Sequence, residues 1–477
     1  MEPFGRLLTA TSFLLAFTFA LIVLAQRKRA PAATVAWILT FFALPYLGVF
    51  LYLLLGYRNL ARRRRLRRVP KLPVIPDAAG PGVDEERLPD DSVRLARLCE
   101  RLSGMALEPG NHLDLYEQAE ESYAAIEAEI RGAKKHVHLL YYIFQPDEVG
   151  RRFRDLLCHK AAEGVECRVL VDHIGSFRLG KTFLAPFAEA GVRFAFFWPV
   201  RLNRPWWGFH LRNHRKLVVV DGETGFVGSQ NLGNEYVRWK SRRIAWRDTL
   251  VRITGPSVND LQRVFIEDWE FTTDEKLRAP KYFAAPHGHG AQRPHGSLVQ
   301  VLPTGPDERD LGLELVLQQL LFSARDRVTM LTPYFVPTLS LLLAFGAATR
   351  RGVRVDVVVP AHSDQWLVAG VGRAWYPDVL ATGANLYQYG HSFLHAKVVT
   401  VDDRFVLLGS PNMDERSFRL NFELSLVVHD EAFAKRMVTS FDSIRAGSRS
   451  MRRLNAVPRT FTANVRDGAL RLLSPLL

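Results

Sequence analysis

The pattern His-x-Lys-x-x-x-x-Asp occurs twice in this chain, as His214, Lys216 and Asp221 and again as His395, Lys397 and Asp402. The same tail follows each copy: Gly228, Ser229 and Asn231 after the first, Gly409, Ser410 and Asn412 after the second. Motif and tail repeated together indicate a duplicated domain, each half giving half of one active site. Whatever the first half folds into, the second must fold into as well.

The spacing is strand chemistry. In an extended chain residues i and i+2 point to one side, so each His is expected to share a face with its Lys. The runs Leu217 to Val220 and Val398 to Val401 predict buried strands. Asp221-Gly222 and Asp402-Asp403 predict turns, and Phe226-Val227 and Phe405 to Leu408 predict return strands carrying the Gly-Ser pair. Each Asp has the wrong parity to join its His and Lys. Asp221 and Asp402 are therefore expected to support the turn or the partner half-site rather than take a proton.

The order of elements repeats too. Helices are expected over 118–135 and 153–162, with strands over 137–144 and 164–172. The later half mirrors them with helices over 311–325 and 339–350 and strands over 328–335 and 352–360. Alternating helices and apolar strands predict an α/β fold, a mixed sheet flanked by helices in each half.

Two histidines and two lysines suit attack on a phosphodiester. Such a group needs a nucleophile, a proton donor for the leaving alcohol, and cations on its non-bridging oxygens. Neutral imidazole serves as nucleophile and imidazolium as acid near pH 7. Lys216 and Lys397 are the expected charge clamp. Ser229, Asn231, Ser410 and Asn412 are the expected substrate-binding donors.

At these residues the chain resembles the phospholipase D superfamily, and within it the bacterial cardiolipin synthases. The paired motifs carry the resemblance, with Trp246-Arg247-Asp248, Asn421-Phe422-Glu423, Thr332-Pro333-Tyr334-Phe335-Val336-Pro337 and the ending Arg471 to Leu477. It implies two tandem phospholipase D-like domains, with all six motif residues in the catalytic set. It implies transfer between two phosphatidylglycerol molecules, giving cardiolipin and glycerol through a phosphatidyl-histidine, without metal or organic cofactor. His214 is expected as nucleophile and His395 as acid and base, an assignment that sequence symmetry leaves open. Asp248 and Glu423 are expected to orient the histidines. A hydrolase using water, a transferase using another headgroup donor such as phosphatidylethanolamine, and a membrane-tethered nuclease are the alternatives.

The N-terminus favours lipid over nucleic acid. Residues 7–25 carry no charge and, at ~1.5 Å each, reach about 28 Å, near the hydrocarbon thickness of a bilayer. A second uncharged run covers 32–56, with Pro45 inside it. Together they predict a two-helix transmembrane hairpin over 1–57. Arg58, Arg62 to Arg65, Arg67 and Arg68 follow it, against Arg27, Lys28 and Arg29 in the turn. That imbalance predicts both ends, and the catalytic domains, on the cytoplasmic side of a cell membrane. A formal charge of +14 agrees with an anionic lipid partner and phosphatidylglycerol as substrate.

The remaining boundaries follow from composition. Residues 58–109 read as a basic, then Pro/Gly-rich linker, poorly packed over 69–91. Residues 110–278 and 298–477 are the two expected domains, joined by a linker over 279–297. His287, His289 and His295 there read as a solvated loop rather than a metal site. Trp206, Trp207 and Phe209, beside Arg201, Arg204 and Arg212, suit either a lipid-channel mouth or core packing. Cys99, Cys158 and Cys167 suggest no disulfide framework and fit a reducing compartment.

Overall fold

The computed structural model describes residues 2–26, 31–53, 83, 86, 88–199, 210–237, 246–284, 296–307, 311–452 and 460–474, with side chains from Thr9 onward. The flanking arginines, the basic turn at 27–29, the Trp206-Trp207-Phe209 segment, the histidine loop and the last residues of the ending lie outside them. The chain divides into two units, 1–65 with 200–210, and the remainder.

In the first unit, α1 (Glu2–Leu24), α2 (Pro31–Ala43) and α3 (Pro45–Leu51) bury one aromatic cluster. Phe41 and Tyr52 meet edge to face at 5.3 Å, and Trp37 meets Tyr52 at the same separation. The run expected as one helix over 32–56 is broken, because Pro45 lacks an amide hydrogen and Leu44 before it leaves the helical region at φ −138°, ψ 70°. Among the described residues no helix is long and apolar enough to cross a membrane. Phe13, Leu14, Phe17, Leu21 and Leu24 of α1, with Leu39, Leu47 and Phe50, point outward.

The second unit is organised by one 16-stranded sheet. Its first half contains β1 (Glu108–Gln118), β2 (His136–Tyr141), β3 (Glu166–Asp172), β4 (Arg193–Phe197), β5 (Arg212–Asn213), β6 (Leu217–Val220), β7 (Thr224–Gly228) and β8 (Arg247–Thr254). The second contains β9 (Ser297–Thr304), β10 (Arg327–Leu331), β11 (Arg354–Pro360), β12 (Asn385–Tyr389), β13 (Val398–Val401), β14 (Phe405–Gly409), β15 (Asn421–His429) and β16 (Ser448–Ser450). The order β4-β3-β2-β6-β7-β8-β1 matches β12-β11-β10-β13-β14-β15-β9, so the repeat seen in the motifs extends to the topology. Instead of two separate sheets, the halves join where Glu108 pairs with Val299 and Asn111 with Ser297.

The predicted hairpins form with the predicted turns. Asp221 (φ 56°) and Gly222 (φ 72°) turn β6 into β7, and Asp402 (φ 51°) and Asp403 (φ 55°) turn β13 into β14. Two successive positive φ values give the mirror-image turn that matches strand twist, and Asp tolerates that conformation better than most side chains.

The segment expected as linker ends in structure. Helix α4 (Asp90–Ser103) places Leu95 and Cys99 one turn apart, on Leu302, Leu313 and Leu317 of the second half. Gln300 Nε2 donates to Ala96 O at 3.0 Å and Met105 O at 2.8 Å.

Outside the motifs, His136 and His138 are buried, and His429 is half-buried with both ring nitrogens shut off from solvent. Burial pushes His136 and His429 down to about 4 and His138 lower in the same direction. His429 finds no hydrogen-bond partner among the described residues for either ring nitrogen. The folded state therefore binds fewer protons than the unfolded chain below the ordinary value of 6.5. Stability is complete above that value and is lost as pH falls toward 4, by up to about 3 kcal/mol for a shift of this size. Thermal unfolding between pH 7 and 4.5 should show this slope, and His429→Phe should make it shallower. An unchanged slope in that variant would contradict the linkage.

Candidate active site

Each motif histidine lies just before its strand rather than in it, and each is fixed by the opposite half. Arg212 and Asn213 run parallel to Asn421 and Phe422, and His214 N donates to Phe422 O at 2.8 Å. Leu394 bridges to Arg247, and His395 N donates to Arg247 O at 2.8 Å. The acceptor residue is in each case the one before a buried carboxylate.

Those carboxylates are exchanged between halves. His214 Nδ1 lies 2.9 and 3.0 Å from the Glu423 oxygens, and His395 Nδ1 lies 2.8 Å from Asp248 Oδ2. Both carboxylates are essentially buried. An anionic acceptor at Nδ1 fixes the proton there and leaves Nε2 as the reactive nitrogen.

Ser229 and Ser410, expected as substrate donors, spend their hydroxyls on Asp248 and Glu423. The glycine before each is dictated by close approach: a Cβ would sit 2.2 Å from Thr249 O at Gly228, and 2.2 Å from Leu424 O at Gly409. Asn231 is likewise satisfied internally, donating to Tyr236 Oη and accepting from Ile143 N at 3.2 Å. Asn412 donates its backbone N–H to Ser417 Oγ at 3.0 Å, and its side-chain oxygen has no partner among the described residues. Of these four side chains, Asn412 is the one with an unpartnered buried atom among the described residues, its amide oxygen.

Asp221 and Asp402 lie at the far ends of their strands from the histidines. Asp221 accepts from the backbone N–H groups of Lys134, Lys135 and His136 at 2.7, 2.7 and 2.9 Å. Asp402 accepts from Arg325, Asp326 and Arg327 at 2.7, 2.8 and 2.8 Å. Both carboxylates pin a preceding loop to the hairpin turn, the supporting place that their parity predicts.

The lysines complete the pocket. Lys216 Nζ donates to His214 O at 2.7 Å, and Lys397 Nζ donates to His395 O at 2.9 Å and stands 3.1 Å from His395 Nε2. Among the described residues nothing bonds His214 Nε2. Burial lowers His214 to about 4, lowers His395, lowers Lys397 to about 8 and takes Lys216 well below its ordinary value. Burial also opposes charge on Glu423, but His214, Lys216 and Ser410 outweigh it and hold that carboxyl at about 2. An entering anion would offset the penalty on the cations, so the site is built to gain protons as it gains negative charge.

Further side chains complete the surroundings of the two histidines. Tyr142 meets His214 at 4.9 Å, and Trp246 and Tyr236 meet His395 at 5.2 and 5.6 Å. Arg215 links Asp268 Oδ1 at 2.8 Å to the Glu423 backbone oxygen at 3.0 Å. Its position between His and Lys was the one available hint. Among the described residues no group of three or more metal-ligating side chains is present.

Asp221→Ala and Asp402→Ala should each destabilise by about 3 kcal/mol or more, since three charge-assisted bonds are lost at a positive-φ position. Denaturant unfolding measures this. The acylation rate of His214 by a histidine reagent should change little in either folded variant, and a large change would return these aspartates to the site.

Comparison with known proteins gives a consistent picture. The sequence family described as cardiolipin synthase, PLD-like domain, matches residues 126–269 and 317–445. The family described as phospholipase D-nuclease N-terminal matches residues 14–56. A cardiolipin synthase of Geobacillus thermodenitrificans is 33% identical over 99% of this chain and 95% of its own. The major cardiolipin synthase of Bacillus subtilis is 32% identical over 99% of both. The crystal structure of phosphatidylserine synthase from Haemophilus influenzae shares the fold, with TM-score 0.60 and 18% identity over 80% of this chain and 100% of that one.

Proposed function

This chain belongs to the bacterial cardiolipin synthases of the phospholipase D superfamily, and from that membership we propose how its two half-sites divide phosphatidyl transfer. It is a phosphatidyltransferase. In our reading, both substrates are phosphatidylglycerol. His214 Nε2 attacks phosphorus while the bond to the glycerol headgroup breaks, and His395 gives the departing oxygen its proton. His395 then takes a proton from a glycerol hydroxyl of the second lipid. That oxygen attacks the phosphatidyl-histidine, the phosphorus–nitrogen bond breaks, and cardiolipin leaves with His214 neutral again.

The observation that carries the reading is the exchange of orienting carboxylates, which leaves two Nε2 atoms as the reacting nitrogens of one centre. The two differ in a way that supports the assignment. His214 Nε2 is unbonded among the described residues and burial holds its ring neutral, the state of a nucleophile, whereas Lys397 Nζ stands 3.1 Å from His395 Nε2, placed to hand that ring a proton once an anion has entered. Lys216 and Lys397 hold the non-bridging oxygens. Asp248 and Glu423 orient the rings and stabilise the imidazolium that forms at each stage.

We place the N-terminal helices in the bilayer as a hairpin, with the catalytic unit on the cytoplasmic side. The family match over 14–56 and the outward-facing Phe and Leu side chains support membrane association, and the arginines after residue 57 support the orientation.

Purified chain given labelled phosphatidylglycerol should yield cardiolipin and glycerol. Phosphatidic acid alone would mark a hydrolase. His214→Ala and His395→Ala should each cut turnover by about 10³-fold or more. Rapid acid quench with phosphorus-labelled lipid should put label on the peptide containing His214, still detectable in His395→Ala and absent from His214→Ala. Label on the His395 peptide would reverse the assignment, and no labelled histidine in a stalled reaction would favour direct transfer. For orientation, a cysteine at Lys28 should react only from outside the cell and one at His289 only from the cytoplasmic side, with the opposite pattern refuting the arrangement.

A further inference from the structure

The loops after β3 and β11 occupy equivalent places in the two halves, since Leu170 pairs with Leu140 as Val358 pairs with Leu331. Each carries one strongly exposed aromatic side chain: Phe177, 73% exposed, and Trp366, 81% exposed. Both loops are tied to the active-site wall. Ser176 Oγ donates to Tyr142 O at 3.1 Å, and the Tyr142 ring is the one against His214. Asp364 accepts from Tyr334 Oη at 2.7 Å, and its charge reaches Lys397. The loops also converge, because Glu235 feels the charges of both Arg178 and Asp364.

Large aromatic side chains exposed in pairs on rigid loops need an apolar partner. The surrounding charge says which. Arg178 and Lys181 are exposed beside Phe177, and Arg373 is exposed two turns along the helix that Trp366 begins (Trp366–Ala381), against the single exposed anion Asp364 in the Trp366 loop, whose carboxylate is held by Tyr334. Aromatic side chains flanked by cations match the headgroup layer of an anionic membrane. A second copy or another protein seated on both aromatics would close the mouth to lipid, whereas a bilayer covers the mouth and supplies it. The helix Phe461–Arg471, tied to the Trp366 helix where Arg471 Nε donates to Ala374 O at 3.1 Å, adds to the case. It buries Asp467 and turns Phe461, Val465 and Leu472, which share one helical face, outward.

We propose that Phe177 and Trp366 form a membrane-docking rim that seats the mouth of the active site on the surface of an anionic phospholipid bilayer. Lipid headgroups then enter from the membrane without passing through water, and both substrates arrive from the same face. The inference rests on the lipid-transferase reading, and its test separates the two.

The full chain is reconstituted in vesicles of phosphatidylglycerol and phosphatidylcholine. An environment-sensitive probe is attached at Phe177→Cys, Trp366→Cys, or Glu223→Cys at the far end of the β6–β7 hairpin. Nitroxide lipids labelled near the headgroup should quench the first two and leave the third unquenched. Equal quenching at all three, or none at 177 and 366, would overturn the proposal. The double variant Phe177→Ser/Trp366→Ser should turn over bilayer-held phosphatidylglycerol about tenfold more slowly, and soluble short-chain phosphatidylglycerol within about twofold of the parent. Equal loss on both substrates would make the rim part of the site rather than a membrane contact, and would also overturn it. Failure of the functional reading looks different: the parent chain would turn over neither lipid, whatever the probes report.

Discussion

Everything at the active centre depends on imidazole–carboxylate pairs that cross the boundary between the two halves. His214 is held by Glu423, and His395 by Asp248. Neither half can set the tautomer of its own histidine. The backbone repeats the exchange, since each histidine N–H is bonded to the residue before the carboxylate that holds its ring. A duplicated fold could have produced two independent sites. Here the shared sheet and reciprocal clamps bring the half-sites together, so that His214 feels the charge of Lys397 and His395 that of Lys216.

Water exclusion gives that geometry its chemical value. Burial lowers both histidines and both lysines while the carboxylates stay ionised. The resting site thus contains neutral imidazole and loosely held protons beside fixed negative charge. A phosphodiester entering such a place supplies the missing counter-charge. The field changes most at the moment of binding, so proton affinity is coupled to substrate rather than to bulk pH.

Much of this was legible in the sequence because it depends on local rules. Strands Leu217–Val220 and Val398–Val401 and the turns at Asp221-Gly222 and Asp402-Asp403 follow from β-branched runs and turn chemistry. The helix Leu339–Arg350 follows from its period. What was not legible depends on contacts between distant segments. Spacing from each motif suggested carboxylates for both histidines, but only tertiary structure reveals that they are exchanged. Ser229 and Ser410 looked like substrate donors because a hydroxyl near a motif does not announce its acceptor. Residues 90–103 were taken into a linker because the core they cover, around Leu302 and Leu313, lies two hundred residues on. The break at Leu44–Pro45 was hidden inside an apolar run whose composition alone argued for continuity.

The halves are alike in topology and unlike around their histidines. Beside His214 lie Arg212, paired with Asp172 at 3.4 Å, and Arg215, which ties Asp268 to the Glu423 backbone. The corresponding positions beside His395 hold Phe393, edge to face with Trp246 at 4.5 Å, and Ala396. One ring is thus set among fixed charges and the other among aromatic faces. Two chemically identical histidines would compete for the same step, each able to attack and each able to protonate. Surroundings that differ in charge fit the division between nucleophile and acid proposed above. Duplication supplied the second imidazole, and divergence of the residues two before and one after it made the pair unequal.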